Sequence, residues 1–252
     1  MKKIIGVLVV SLSFLSLGLA RPLSEIQTSG TLIFGNSHDY PPFYSTENGK
    51  LVGFEIDFGV ALAKRLGLKP EWRNVGFDSL FTKLGESKID VALASHTITT
   101  NREKYVDFVI PHYCTGTVIV ALTGKALDPE GLSGKVVAAS QSSSFAEYAR
   151  KIPNVKKVQT FATELEAFKA MQTGKADAYI TDRLSALTLS KKYPAPRVNL
   201  SPLLTEDRIA MAVKKGNSEL LKTLNDSVEA MKKDGSISRI ASRYFSGNVS
   251  CD

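Results

Sequence analysis

Residues Lys88 to Phe108 read KIDVALASHTITTNREKYVDF. Ile89 to Leu93 is a short apolar run of strand length. Thr100-Asn101-Arg102-Glu103 has the capping-box spacing, Thr at the cap and Glu three residues later, so a helix is predicted to start just after Thr100. Further along, Lys175-Ala176-Asp177-Ala178-Tyr179 echoes Lys88-Ile89-Asp90-Val91-Ala92, and at the same offset Ser95 aligns with Asp182. Both fall just past the C-terminal end of a strand, where ligands collect in open α/β sheets. Two similar lobes with facing strand ends would enclose a cleft.

The flanking sequence alternates strand and helix signals, the pattern of α/β layers. Upstream, Thr31 to Gly35 is a strand and Asn36 to Lys50 a loop rich in Pro, Asn and Gly. Asp57 opens an amphipathic helix that carries Phe58, Ala61, Leu62 and Leu66 and stops at Gly67. Asp78 begins a helix through Leu84. Downstream, Thr117–Leu122, Lys135–Ala139, Ala178–Ile180 and Ile209–Val213 read as strands. A second capping box, Thr163 to Glu166, opens a helix with Leu165, Phe168 and Met171 on one face, ended by Gly174. Asn217–Lys233 and Ser236–Phe245 close the chain as helices.

The 252 residues hold 43% hydrophobic and 23% charged side chains, which excludes disorder and collagen-like or cysteine-framework scaffolds. The length allows one large domain or two small ones. Residues 1–20, MKKIIGVLVVSLSFLSLGLA, combine Lys2 and Lys3, an apolar run shorter than the ~20 residues a bilayer needs, and small residues at Gly18 and Ala20. That is a cleaved export signal. No Cys follows the cleavage site, so a lipoprotein is not expected. The bases behind the formal charge of +7 are scattered, which reads as a solvated surface and not as a nucleic-acid or membrane patch. Cys114 and Cys251 are an even pair in an oxidising compartment. A disulfide between them would tie down the C-terminal tail, but sequence leaves the pairing open.

His38, His96 and His112 lack metal-ligand spacing, and no GxSxG, GxGxxG or GxxxxGK[ST] occurs. Metal and cofactor are therefore not expected. His112 and Cys114 would share a strand face, and a disulfide or buried thiol is preferred there over a Cys–His nucleophile. What remains suits a zwitterion. Arg102, in a first helical turn, can fork onto a carboxylate, with Thr97 and the helix N-terminus adding hydrogen bonds. Ser142, Ser143 and Ser144 lie where a strand hands over to a helix. Asp182, at a strand end, can hold an ammonium group or cap the following helix. Tyr40, Phe43 and Phe77 can cover an aliphatic stem or belong to the core. Asp39 can meet a cationic side chain or serve only as a turn residue.

Taken together, GTLIFGNSHDYPPFYS (Gly30–Ser45), LVGFEIDFGVALAKRLG (Leu51–Gly67), GFDSLFTKL (Gly76–Leu84), Lys88–Phe108, KADAYITD (Lys175–Asp182) and KKDGSISRIASRYF (Lys232–Phe245) resemble the polar amino-acid solute-binding proteins of bacterial ABC importers. The resemblance implies a type II two-lobed periplasmic binding fold, each lobe a mixed sheet flanked by helices. The lobes would be 21–115 plus 208–252, and 116–207, with hinge strands near Thr115 and Glu206–Ile209. It implies that Tyr40 and Phe77 sandwich the ligand side chain and that the Ser95 carbonyl accepts from the α-ammonium, which Asp182 also pairs. Thr97, Arg102 and Ser144 would bind the α-carboxylate. The expected protein is a periplasmic monomer without enzymatic activity. It would close on an L-amino acid, polar or basic with arginine leaning on Asp39, and dock on a membrane permease. The family also resembles cyclohexadienyl dehydratase, an exported enzyme that needs a general acid one helical turn past Asp182. Ser185 stands there instead. A sensor-associated binding module is a third reading. One departure stands out: Ser95-His96-Thr97 replaces the usual Gly-Met-Thr, which raises the question of what His96 does to the pocket.

Overall fold

The structure is a computed structural model describing residues 20–37, 40–125 and 127–251. Residues 1–19 of the expected export signal, His38 and Asp39 lie outside them. In chain order, α1 (Leu23–Ser29) leads to β1 (Thr31–Asn36), whose residues after Thr31 are all buried. The stretch expected to be a loop contains a hairpin, β2 (Ser45–Glu47) and β3 (Lys50–Val52), turned at Asn48 and Gly49 with φ of 50° and 76°. That is the backbone an Asn-Gly hairpin turn requires.

The next helix, α2 (Phe54–Arg65), starts ahead of the expected Asp57. Its entry is set by Gly53, at φ 131°, where a Cβ would lie 2.3 Å from the Phe43 carbonyl oxygen. Phe54, Phe58 and Leu62 on this helix are fully buried, each contributing about 1.5–3 kcal/mol of apolar burial. β4 (Lys69–Asn74) pairs in parallel with β1 along its length. α3 (Leu80–Gly85), β5 (Val91–Ala92) and β6 (Val106–Phe108) follow.

After β7 (Tyr113–Thr115) the chain enters β8 (Thr117–Leu122), β9 (Val136–Ser140), α4 (Ser144–Lys151), β10 (Lys157–Phe161), α5 (Glu164–Gln172), β11 (Ala178–Asp182), α6 (Arg183–Lys192) and β12 (Val198–Leu200). It returns through β13 (Asp207–Ile209), β14 (Ala212–Lys214), α7 (Ser218–Lys233) and α8 (Ser236–Ala241). The expected strand Ile209–Val213 is thus split. Its first part pairs with β7 and its second lies between β5 and β6. The last helix ends at Ala241, short of the expected Phe245.

Among the described residues two five-stranded mixed sheets form, ordered β4-β1-β5-β14-β6 and β10-β9-β11-β8-β12. Each belongs to one lobe of a two-lobed α/β fold. Strand alternation sorts the second core: Val118 and Val120 on β8 meet Phe168, Met171 and Tyr179, while Ile119 and Ala121 face the other way into the larger core. No helix among the described residues is long and apolar enough to cross a membrane.

The lobes are joined where β7 runs antiparallel to β13, with Cys114 opposite Arg208 and Thr115 opposite Asp207. Gly116 alone separates β7 from β8. A Cβ there would lie 2.1 Å from the Thr205 carbonyl oxygen, so only glycine lets the two connecting segments approach this closely. Cys114 is disulfide-bonded to Cys251, with a Cα–Cα distance of 5.0 Å, and its N–H donates to the Val249 carbonyl at 2.7 Å. The bond removes Cys114 as a nucleophile.

Candidate functional site

The helix expected after Thr100 is a single 3-10 turn, Arg102–Lys104. Thr99, not Thr100, supplies its start: the Thr99 carbonyl accepts from Glu103 N–H at 3.0 Å and its hydroxyl from Arg102 N–H at 3.3 Å. Arg102, Glu103 and Lys104 offer no apolar face for a longer helix to bury, and the chain enters β6 at Val106. The short turn nevertheless aims Arg102 into the gap between the lobes. Its guanidinium donates to the Thr97 carbonyl at 2.9 Å and, across the gap, to the Ser142 carbonyl at 3.4 Å. It also lies over the Phe77 ring, 5.6 Å from the centroid. Burial lowers the Arg102 pKa from its ordinary value, against the pull of Glu147 and Asp207.

The opposite wall is the Ser140–Ser144 turn between β9 and α4. Ser142 turns it with φ 55°. Ser143 caps α4, accepting from Ala146 N–H at 3.1 Å and donating to the Ser140 carbonyl at 2.6 Å. That leaves the Ser144 hydroxyl to reach the other lobe, 3.2 Å from the Thr97 hydroxyl. Between the walls lies a cavity of about 330 Å³, and among its lining residues are Tyr40, Phe77, Ser95, Arg102 and Ser144. Five of the expected site residues are thereby brought together from both lobes. Thr97 stands behind them through its contact with Ser144. Asp39 lies outside the described residues.

Asp182 is placed differently. It is not among the lining residues; it is buried and N-caps α6, accepting from Leu184 and Ser185 N–H at 2.7 and 3.0 Å. Burial pushes its carboxyl up to about 6, against the pull of the Thr115 hydroxyl and these two N–H groups. Its field, with that of Glu164, adds to burial in holding the Tyr40 hydroxyl well above the ordinary tyrosine pKa. Ser185 is fully buried and its hydroxyl has no hydrogen-bond partner.

His96 does not enter the cavity. Its ring is 2% exposed and stacks between Phe77 and Phe81, both centroids at 4.7 Å. The pocket sees the Phe77 face that His96 supports. Burial, then the nearby Arg102 charge, hold His96 well below the usual histidine pKa, so it is neutral. A histidine neutral in the fold contributes stability that is complete above its unfolded pKa of about 6.5 and is lost as pH falls below it. The loss runs at up to about 1.4 kcal/mol for each pH unit over which the folded ring stays neutral while the unfolded one protonates. His96→Met fills the same slot with nothing to protonate. Urea melts of both proteins should therefore show a stability gap that shifts in the variant's favour as the pH falls from 7.5 to 5. Parallel pH profiles would refute the buried neutral ring.

Two site residues escaped sequence reasoning. Glu55, fully buried on α2, accepts from the Ser95 N–H at 2.8 Å and hydroxyl at 3.0 Å, and pairs with His112 Nε2 at 2.9 Å. It thereby holds Ser95 in the left-handed region at φ 52°. The signal was present, because Glu55 shares a helical face with Phe58 and Leu62, and a carboxylate on an apolar stripe needs a buried partner. Glu164 also lines the cavity.

Residues 32–247 match the family described as bacterial extracellular solute-binding proteins, family 3. The chain is 31% identical to the L-cystine-binding protein TcyJ of Escherichia coli (strain K12), covering 98% of this chain and 96% of that protein. It is 32% identical to the L-arginine-binding protein of Pseudomonas aeruginosa over 83% of this chain and 86% of that one. Among solved structures, an ancestral arginine-binding protein bound to arginine superposes with a TM-score of 0.81 at 38% identity, covering 86% of this chain and 99% of that one.

Proposed function

The chain belongs to the bacterial extracellular solute-binding proteins, family 3, and we propose that it binds one free L-amino acid, polar or basic, between its lobes and delivers it to the permease of an ABC importer. The names of the compared relatives, which are binding proteins and not enzymes, support this reading over a dehydratase. Ser185, where that chemistry needs an acid, adds no proton donor. In this reading the protein is a periplasmic monomer, exported by cleavage after Ala20 and carrying no lipid.

The observation that carries the proposal is the pairing of Arg102 with the Ser142–Ser144 turn across the cavity between the lobes. Arg102, Ser144 and Thr97 hold the α-carboxylate, because a guanidinium flanked by hydroxyls matches its two oxygens. The Ser95 carbonyl holds the α-ammonium at the cavity wall, and Asp182, buried behind the lining as the cap of α6, contributes its charge from a distance. With its pKa raised to about 6 it is mostly ionised at pH 7, so a nearby cation gains from its field. Tyr40 and Phe77 cover the side chain. The lobes, 21–115 plus 208–252 and 116–207, turn about Thr115 and Glu206–Ile209.

Thermal-shift screening of the purified protein against the twenty amino acids tests the proposal. A ligand at a hundred times its Kd stabilises by about 2.7 kcal/mol, a shift of several degrees in a protein of this size. A flat response to all twenty would refute it.

A further inference from the structure

We propose that Glu55 is a positioning residue of the cleft: acting through Ser95, it fixes the subsite for the ligand's α-ammonium and so makes the site select α-amino acids over acids of the same shape that lack the amino group. The inference rests on the amino-acid-binding reading above and adds to it the residue that enforces the amino group.

A chain of contacts runs from the core to the cavity. Ser95 lines the cavity, and its backbone is left-handed at φ 52°. A residue with a Cβ adopts that conformation at a cost and keeps it only where its surroundings over-determine it. Glu55 supplies that hold. Its Oε2 accepts from the Ser95 N–H at 2.8 Å and from the Ser95 hydroxyl at 3.0 Å, so one oxygen grips backbone and side chain together. Its Oε1 pairs with His112 Nε2 at 2.9 Å, and the His112 ring in turn stacks on Phe58, with centroids 4.5 Å apart. Each oxygen has its own partner, so the carboxyl group cannot turn without breaking bonds on both sides. The Glu55 and His112 side chains are buried and neither residue lines the cavity, so Glu55 acts on a ligand through Ser95.

What Ser95 gains is direction. Its N–H and hydroxyl are tied to α2, while its carbonyl accepts no hydrogen bond among the described residues. The next residue is fixed as well: the His96 carbonyl accepts from Ala210 N–H at 3.0 Å, and its ring is stacked between Phe77 and Phe81. The peptide unit that carries the Ser95 oxygen is thus anchored at both ends. An acceptor set in place beforehand gains more from an ammonium group than one that must be ordered on binding. Without Glu55, Ser95 relaxes toward ordinary backbone angles and its carbonyl turns. The α-ammonium then loses its partner, while the α-carboxylate keeps Arg102. The competing account is that Glu55 only ties α2 to the segment before β7. Its loss would then weaken the fold and lower affinity for every ligand alike.

Competition calorimetry separates the two, using the amino acid that binds the wild type most tightly and the same molecule without its α-amino group, which for arginine is 5-guanidinopentanoate. Glu55→Leu fills the space and removes the acceptor. In that variant the preference for the amino acid over its deaminated counterpart should fall about tenfold, nearly all of it through the amino acid. Glu55→Gln keeps an acceptor for Ser95 and a donor for His112, and should restore most of the preference. Equal losses toward both ligands in Glu55→Leu overturn the proposal. So does a Glu55→Gln variant that loses as much preference as Glu55→Leu, because charge and not position would then be at work. A wild type that binds the deaminated acid as tightly as the amino acid overturns it without any variant. Should Glu55→Leu fail to fold, Ser95→Ala decides: it drops only the hydroxyl's bond, the preference should fall about threefold, and an unchanged preference overturns the proposal. In all these cases amino-acid binding itself stands. A wild type that binds none of the twenty amino acids or cystine refutes the reading beneath it.

Discussion

Replacing Arg102 by alanine should nearly abolish amino-acid binding, with affinity falling a hundredfold or more. The variant removes a forked pair of charge-assisted hydrogen bonds, each of roughly 1.5–3 kcal/mol, so about 3 kcal/mol is a lower expectation. An amino acid bound at micromolar Kd has only about 8 kcal/mol in total, and no other lining base among the described residues takes over. Arg102→Lys should recover only part of the loss, because an ammonium cannot fork onto two oxygens. Arg102 bonds only two backbone carbonyls, those of Thr97 and Ser142, in the structure, so the melting temperature measured without added amino acid should hardly move. Calorimetry returning a wild-type Kd for Arg102→Ala would remove the carboxylate subsite from this account.

The second large effect concerns the fold. Cys114 and Cys251 are 137 residues apart in sequence, and their bond restricts the unfolded chain over most of its length. Cys114→Ser combined with Cys251→Ser should cost roughly 2–4 kcal/mol. At about 2–4 °C per kcal/mol for a chain of this size, the midpoint should fall by about 5–15 °C. Urea melts of the oxidised wild type and the double variant measure the difference directly. Coincident curves would mean that the tail adds nothing to the stability of the folded protein.

Much of the fold was legible because local signals agreed with long-range packing. The two capping boxes show where that agreement ends. At Thr163 both reciprocal bonds form, at 3.2 Å each, because Ala167, Phe168 and Met171 give α5 a face to bury. At Thr100 the same spacing precedes only Arg102, Glu103 and Lys104, and one turn results. Asn48-Gly49 carried a hairpin signal that the polarity of its surroundings hid. In the site, residues with a charge or an aromatic ring beside a strand end were readable as candidates, and Tyr40, Phe77, Ser95, Arg102 and Ser144 do converge. Whether a group faces the cavity or the core was not readable. His96 and Phe77 are neighbours in space, yet only the side chain's direction decides which one a ligand meets. Glu55 and Glu164 were missed for a related reason. The partners of both come from segments distant in sequence; for Glu55 the apolar stripe of α2 was a local sign of burial, whereas nothing local marked Glu164.

The disulfide at Cys114 sits two residues before the bare contact of Gly116 with Thr205. One side of that crossover is stapled and the other carries no side chain, so the two connecting segments are pinned against each other where the chain passes between its lobes. Any side chain at position 116 would act as a wedge there, prising apart the strands on which both halves hang.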